Sequence, residues 1–163
     1  MFTLNFFINL LMSFICATSF AIIFNTSKKH LLYIGICGLG TYAIYYITFF
    51  FIASSFWAAF ISSIFAALFS EITARVQRAP TVIFLITGII PTVPGGSLYY
   101  TMRHLILSNF DLALKHLIET LEIGLGIAGG IVTVSILFGT IMDYAHKRRS
   151  AKKTKRINRT ANQ

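Results

Sequence analysis

Between Lys29 and Glu71 lies a run of forty residues, Leu31–Ser70, without one charged side chain. As a single helix rising about 1.5 Å per residue it would be about 60 Å long, twice the roughly 30 Å hydrocarbon core of a bilayer. A run of this kind excludes an ordinary soluble domain and is too long for one membrane span. It must fold back once, and Ser54–Ser55 marks the place. Three further apolar blocks, Leu4–Phe24, Thr81–Met102 and Ile123–Met142, complete the pattern. Only 12% of the chain is charged, against about a quarter in soluble domains. The expected fold class is therefore an all-α polytopic membrane protein of about five helices. The spans fall near 4–24, 31–52, 55–74, 81–102 and 123–142, within one transmembrane domain over residues 1–146.

The basic residues give this arrangement a direction. The net charge of +9 is concentrated in a tail, with Lys147, Arg148, Arg149, Lys152, Lys153, Lys155, Arg156 and Arg159 close together. Five spans with the N-terminus outside place 12 of the 14 basic residues in the cytoplasm and leave Arg103 and Lys115 outside. If Thr81–Met102 dipped into the membrane without crossing, the split would become 6 inside and 8 outside. Cytoplasmic loops carry the excess of Lys and Arg, so the crossing arrangement is preferred. Residues 147–163 then read as a disordered cytoplasmic tail rather than a nucleic-acid-binding segment. The N-terminus lacks the basic n-region and small-residue cleavage site of a signal peptide and reads as a retained span.

Two spans carry packing signals. In the third, Ser54, Ala58, Ser62, Ala66 and Ser70 form one four-residue row, and Ser55, Ala59, Ser63 and Ala67 a second. A helix with a broad small face is built for close approach to another helix. Whether that helix belongs to this chain, a second copy or another subunit stays open. The last span has Gly126 and Gly130 in GxxxG spacing, also a seam. Gly124, Gly126 and Gly129 match G-x-G-x-x-G by chance, because no strand or βαβ unit surrounds them. Between the fourth and fifth spans, residues 108–122 read as a separate amphipathic helix lying in the interface. Its polar stripe includes Asp111, Lys115, Glu119 and Glu122.

The fourth span breaks the rules of its own solvent. "GIIPTVPGGSLYYTM" puts Pro91, Pro94, Gly95 and Gly96 into one apolar segment. Pro91 removes a backbone donor and crowds the preceding turn, and Pro94 turns Val93 away from helical dihedrals. Two half-helices are expected, Thr81–Ile90 and Ser97–Leu107, joined by an irregular "PTVPGG". Unpaired backbone in hydrocarbon costs several kcal/mol per group, so such a break survives only inside a bundle or on a wet cavity. The start of the second half-helix offers free N–H groups to a carboxylate. Candidate substrate contacts are Pro91, Pro94, Gly95, Gly96, Ser97, Tyr99 and Tyr100.

These residues carry a family resemblance. "ARVQRAPTVIFLITGIIPTVPGGSLYYTM" is similar to the small, C-terminal-half component of the bacterial threonine/serine exporter family, at Pro80, Pro91, Val93, Pro94, Gly95, Gly96, Tyr99 or Tyr100, and Met102. Ile22–Gly40 resembles the same family's first loop and second span. Thr92 departs from the apolar residue expected at its position. The resemblance implies export of threonine- or serine-like amino acids or, in a two-protein form, of dicarboxylates such as succinate. It also implies a larger membrane subunit as partner and a location in the bacterial inner membrane.

The charged candidates are Glu71, Arg75, Arg78 and Arg103. Glu71 could carry protons for coupled export; the plainer reading is a Glu71–Arg75 pair closing a helix at the interface. Arg78 or Arg103 could meet a substrate carboxylate. Neither H-E-x-x-H nor G-x-S-x-G occurs, and His116/Glu119 is a lone i,i+3 pair, so no enzyme is expected. Cys16 and Cys37 stand alone in apolar runs, and no metal or cofactor is expected. The competing reading is a membrane scaffold without a pathway of its own.

Overall fold

The computed structural model describes the backbone of residues 2–161 and the side chains of 6–140. It is all-helical among those residues: α1 (Phe2–Ile23), α2 (Leu31–Ile52), α3 (Ser55–Gln77), α4 (Thr81–Ile89), α5 (Gly95–Ile106) and α6 (Phe110–Ala161). Short 3₁₀ turns cover Lys28–His30 and Ile90–Thr92. Four helices are long and apolar enough to cross a membrane, and the α4–α5 pair, bent by 52° at the break, adds a fifth candidate.

The forty-residue uncharged run folds back as expected. Ala53 takes left-handed dihedrals (φ 53°) and its N–H bonds to Phe49 O, ending α2 two residues before α3 begins. Three other helix ends use a left-handed residue and a wrapped backbone bond. These are Asn25 with Thr26 N–H to Ala21 O, Arg78 with Ala79 N–H to Ala74 O, and Ser108 with Asn109 N–H to His104 O. Each bond takes up a carbonyl that the helix end would otherwise leave without a donor.

Packing follows the small residues. Both rows of α3 are buried from Ala58 and Ala59 to Ser70, within this chain's own bundle. Gly126 lies where a Cβ would stand 2.6 Å from Phe56 O and 2.9 Å from Ala59 Cβ. One turn on, a Cβ on Gly130 would meet Phe60 O at 2.7 Å and the Ser63 hydroxyl. The same four-residue step on both helices shows that α3 and α6 run parallel. The chain between them, α4 and α5, must therefore return to the end from which α3 started. On the other side, Gly40 accepts the Phe65 ring and Gly88 accepts the Cys37 thiol. Cys37, Ala66 and Ile89 join there in one buried cluster.

The C-terminal third differs from expectation. Residues 108–122 do not form a separate helix, since from Phe110 they are the first turns of α6 and run unbroken into the last span. The face that packs on α5 is Ala113, buried beside Thr101, with half-buried His116, whereas Leu114, Leu117 and Leu121 of the apolar stripe stay exposed. Through Thr140 this candidate span is 31 residues, about 46 Å at helical rise and longer than the hydrocarbon core. α6 continues through the basic segment to Ala161, where disorder was expected. The side chains of that segment lie outside the described residues.

Candidate functional site

The break follows the short helix α4. α4 has nine residues, about 13 Å, before its last regular turn gives way to Ile90–Thr92. The half-helix limits lie within two residues of those expected. Pro91 is half-buried, and its ring packs on the bare face of Gly38, whose Cβ would stand 3.5 Å from Pro91 Cγ. The kink is thereby held against α1 and α2.

The backbone of the break is unevenly satisfied. The Thr92 hydroxyl donates to Ile89 O at 2.8 Å, Val93 N–H to Ile90 O at 3.1 Å, Gly95 N–H to Val93 O at 2.8 Å and Leu98 N–H to Pro94 O at 3.1 Å. Thr92 thus supplies a donor to a carbonyl freed at the break, which accounts for a buried hydroxyl where an apolar residue was expected. On the donor side, the N–H groups of Gly96 and Ser97 have no acceptor among the described residues, and Pro94 adds no side-chain cap. A Cβ at Gly95 or Gly96 would meet nothing within 4 Å. Neither glycine has a positive φ. Their service is therefore the missing side chain, which leaves the start of α5 uncovered, and not access to left-handed dihedrals.

The other candidates sort by position. Ser97 is half-buried and its carbonyl accepts the Thr101 hydroxyl at 2.8 Å. Tyr99 is 64% exposed, edge-on to Tyr100 at 5.5 Å. Tyr100 turns towards α6 and stacks on His116 at 5.4 Å. Glu71 and Arg75 form an ion pair at 3.0 Å, and Arg75 also lies 4.7 Å over the Phe138 ring. Arg78 is the exposed left-handed residue that ends α3. These three stand at the α3–α4 end, while Arg103 is exposed near the α5–α6 turn. They do not form one cluster.

A group that sequence spacing did not reveal lies between α5 and α6. His104 and His116 stack with ring centroids 5.6 Å apart and planes within 5°, and Tyr100 completes the stack. Glu119 Oε2 is 3.5 Å from His116 Nδ1. The two histidines are twelve residues apart, and only the tight α5–α6 turn brings them together. Among the described residues no group of three or more His, Cys, Asp or Glu is placed to hold a metal ion.

The family model described as "Threonine/Serine exporter, ThrE" matches residues 9–137, which include every element of the site. No curated protein and no solved structure matches the chain.

Proposed function

The chain belongs to the threonine/serine exporter family, and we propose that its part in export is to receive the carboxylate of a small metabolite at the start of α5. The cargo is a threonine- or serine-like amino acid or a dicarboxylate such as succinate. The observation that carries this reading is the imbalance at the break. The carbonyls of Ile89, Ile90, Val93 and Pro94 have donors, whereas the N–H groups of Gly96 and Ser97 have no acceptor among the described residues, and a Cβ at Gly95 or Gly96 would meet nothing within 4 Å. A helix N-terminus carries roughly half a positive unit charge, and surroundings of low dielectric strengthen its attraction for an anion. Discontinuous helices near the membrane midplane bind substrates in many secondary transporters. Tyr99 and Tyr100, within a turn of Ser97, are candidate donors to the cargo's other oxygens.

In this reading the four long helices and the α4–α5 pair make five spans of a bacterial inner-membrane protein. Its N-terminus is outside and its basic end cytoplasmic, as the distribution of Lys and Arg favours. A larger membrane subunit of the same family completes the pathway.

The test is efflux of labelled threonine and labelled succinate from cells expressing this chain, its larger partner, or both. Efflux of either compound only with both present is expected and identifies the cargo class. No efflux in any combination, with both proteins in the membrane, would favour a scaffold.

A further inference from the structure

The stacked histidines are not used by the substrate reading, and their chemistry points elsewhere. Histidine changes charge between about pH 5 and 8. His104 belongs to α5 and His116 to α6, so the state of the pair bears directly on how these helices hold together. Neither Nδ1 atom is solvent-accessible and neither has a hydrogen-bond partner. His116 Nδ1 lies within ion-pair distance of Glu119 Oε2, a contact that gains its charge when the ring is protonated. Among the described residues, Tyr100 on α5 stacks on both rings, and Tyr45 on α2 lies within electrostatic reach of Glu119. Arg103, Asp111, Lys115 and Glu122 are exposed.

We propose that His104 and His116 form a proton-binding latch that holds α5 to α6 while the pair carries at most one proton and releases it when both rings are charged. A first proton on His116 meets Glu119, three residues on in the same helix, and leaves the α5–α6 contact in place. The second places a like charge on the ring stacked 5.6 Å away. At an effective dielectric of about 20 that repulsion is worth on the order of a hundredfold in the closing equilibrium, partly offset by Glu119. The helix released is the one whose N-terminus forms the break. Acidification on the side of the α5–α6 turn would therefore loosen α5, whatever α5 binds.

Hydrogen exchange of the full chain in lipid nanodiscs, corrected for the intrinsic pH dependence of exchange, tests this without a transport assay. The wild type should exchange several-fold and up to about tenfold faster at pH 5.5 than at pH 7.5 over residues 95–106 and 110–122, with α3 unchanged. In His104→Gln and in His104→Phe only one ring titrates, so the pH effect should vanish. If the Gln variant loosens at both pH values through loss of the stack, the Phe variant, which keeps an aromatic ring, decides. A wild type indifferent to pH, or a pH effect that persists in His104→Phe, overturns the proposal.

Discussion

Gly130→Ala puts the α3–α6 seam to a quantitative test. The added Cβ would stand 2.7 Å from Phe60 O and 3.1 Å from Ile64 N, and against the Ser63 hydroxyl. The hydroxyl can rotate away, but the backbone of α3 cannot. A carbon needs roughly 3.3 Å from a carbonyl oxygen, so α6 must retreat by about half an ångström along this stretch. A gap of that order forfeits about a quarter of each dispersion contact across it, and overpacked sites lose typically about 1–3 kcal/mol. Replacing a helical glycine by alanine returns up to about 1 kcal/mol of propensity. The net loss should be about 1–2 kcal/mol, a roughly 5- to 30-fold drop in the folding constant. Unfolding by SDS in mixed micelles, followed through Trp57 on α3, reads it directly. Gly124→Ala and Gly139→Ala are the controls, since a Cβ there meets nothing within 4 Å; both should be neutral or slightly stabilising. If Gly130→Ala unfolds like the controls, α3 and α6 do not pack in this register.

Two further perturbations follow from the same geometry. Gly88→Ala sets a methyl 2.5 Å from Cys37 Sγ, so it should destabilise by about 1–3 kcal/mol; adding Cys37→Ala should recover much of that loss, and additive effects in the double-mutant cycle would mean the two do not touch. Cysteines at Asn109 and at Arg78 should differ in sidedness: the first labelled by an impermeant maleimide from outside, the second only after permeabilisation. Labelling of both from one side would make the α4–α5 pair re-entrant.

Much of this architecture was legible because it follows from local rules. The charge-free run demanded a turn near Ser54, and the structure turns at Ala53. Two prolines and two glycines demanded a break, and the half-helices end within two residues of the expected limits. The small rows of α3 announced close packing but not against what, because Ala and Ser serve any neighbour equally. Only the facing glycines of α6 decide that. The separate interfacial helix was misread for a related reason. A polar stripe at 3.6-residue spacing describes a face and not a boundary, and nothing between Leu121 and Gly124 breaks the helix. The His104–His116 stack could not be found from spacing, since it depends on how a three-residue turn aligns two helices. Thr92 was legible only as a departure, because its role is to satisfy a carbonyl that sequence cannot show to be free.

The central claim is that the uncovered start of α5 receives the cargo, and Gly96→Leu tests it most directly. A Cβ at this position meets nothing within 4 Å, so the chain should fold, reach the membrane and retain its larger partner. The leucine side chain would instead fill the space before the free N–H groups. Efflux of whichever compound the wild-type pair exports should fall at least about tenfold, the equivalent of one charge-assisted hydrogen bond of about 1.5–3 kcal/mol. Unchanged efflux from a Gly96→Leu complex present at wild-type levels would contradict the claim and move the pathway away from α5.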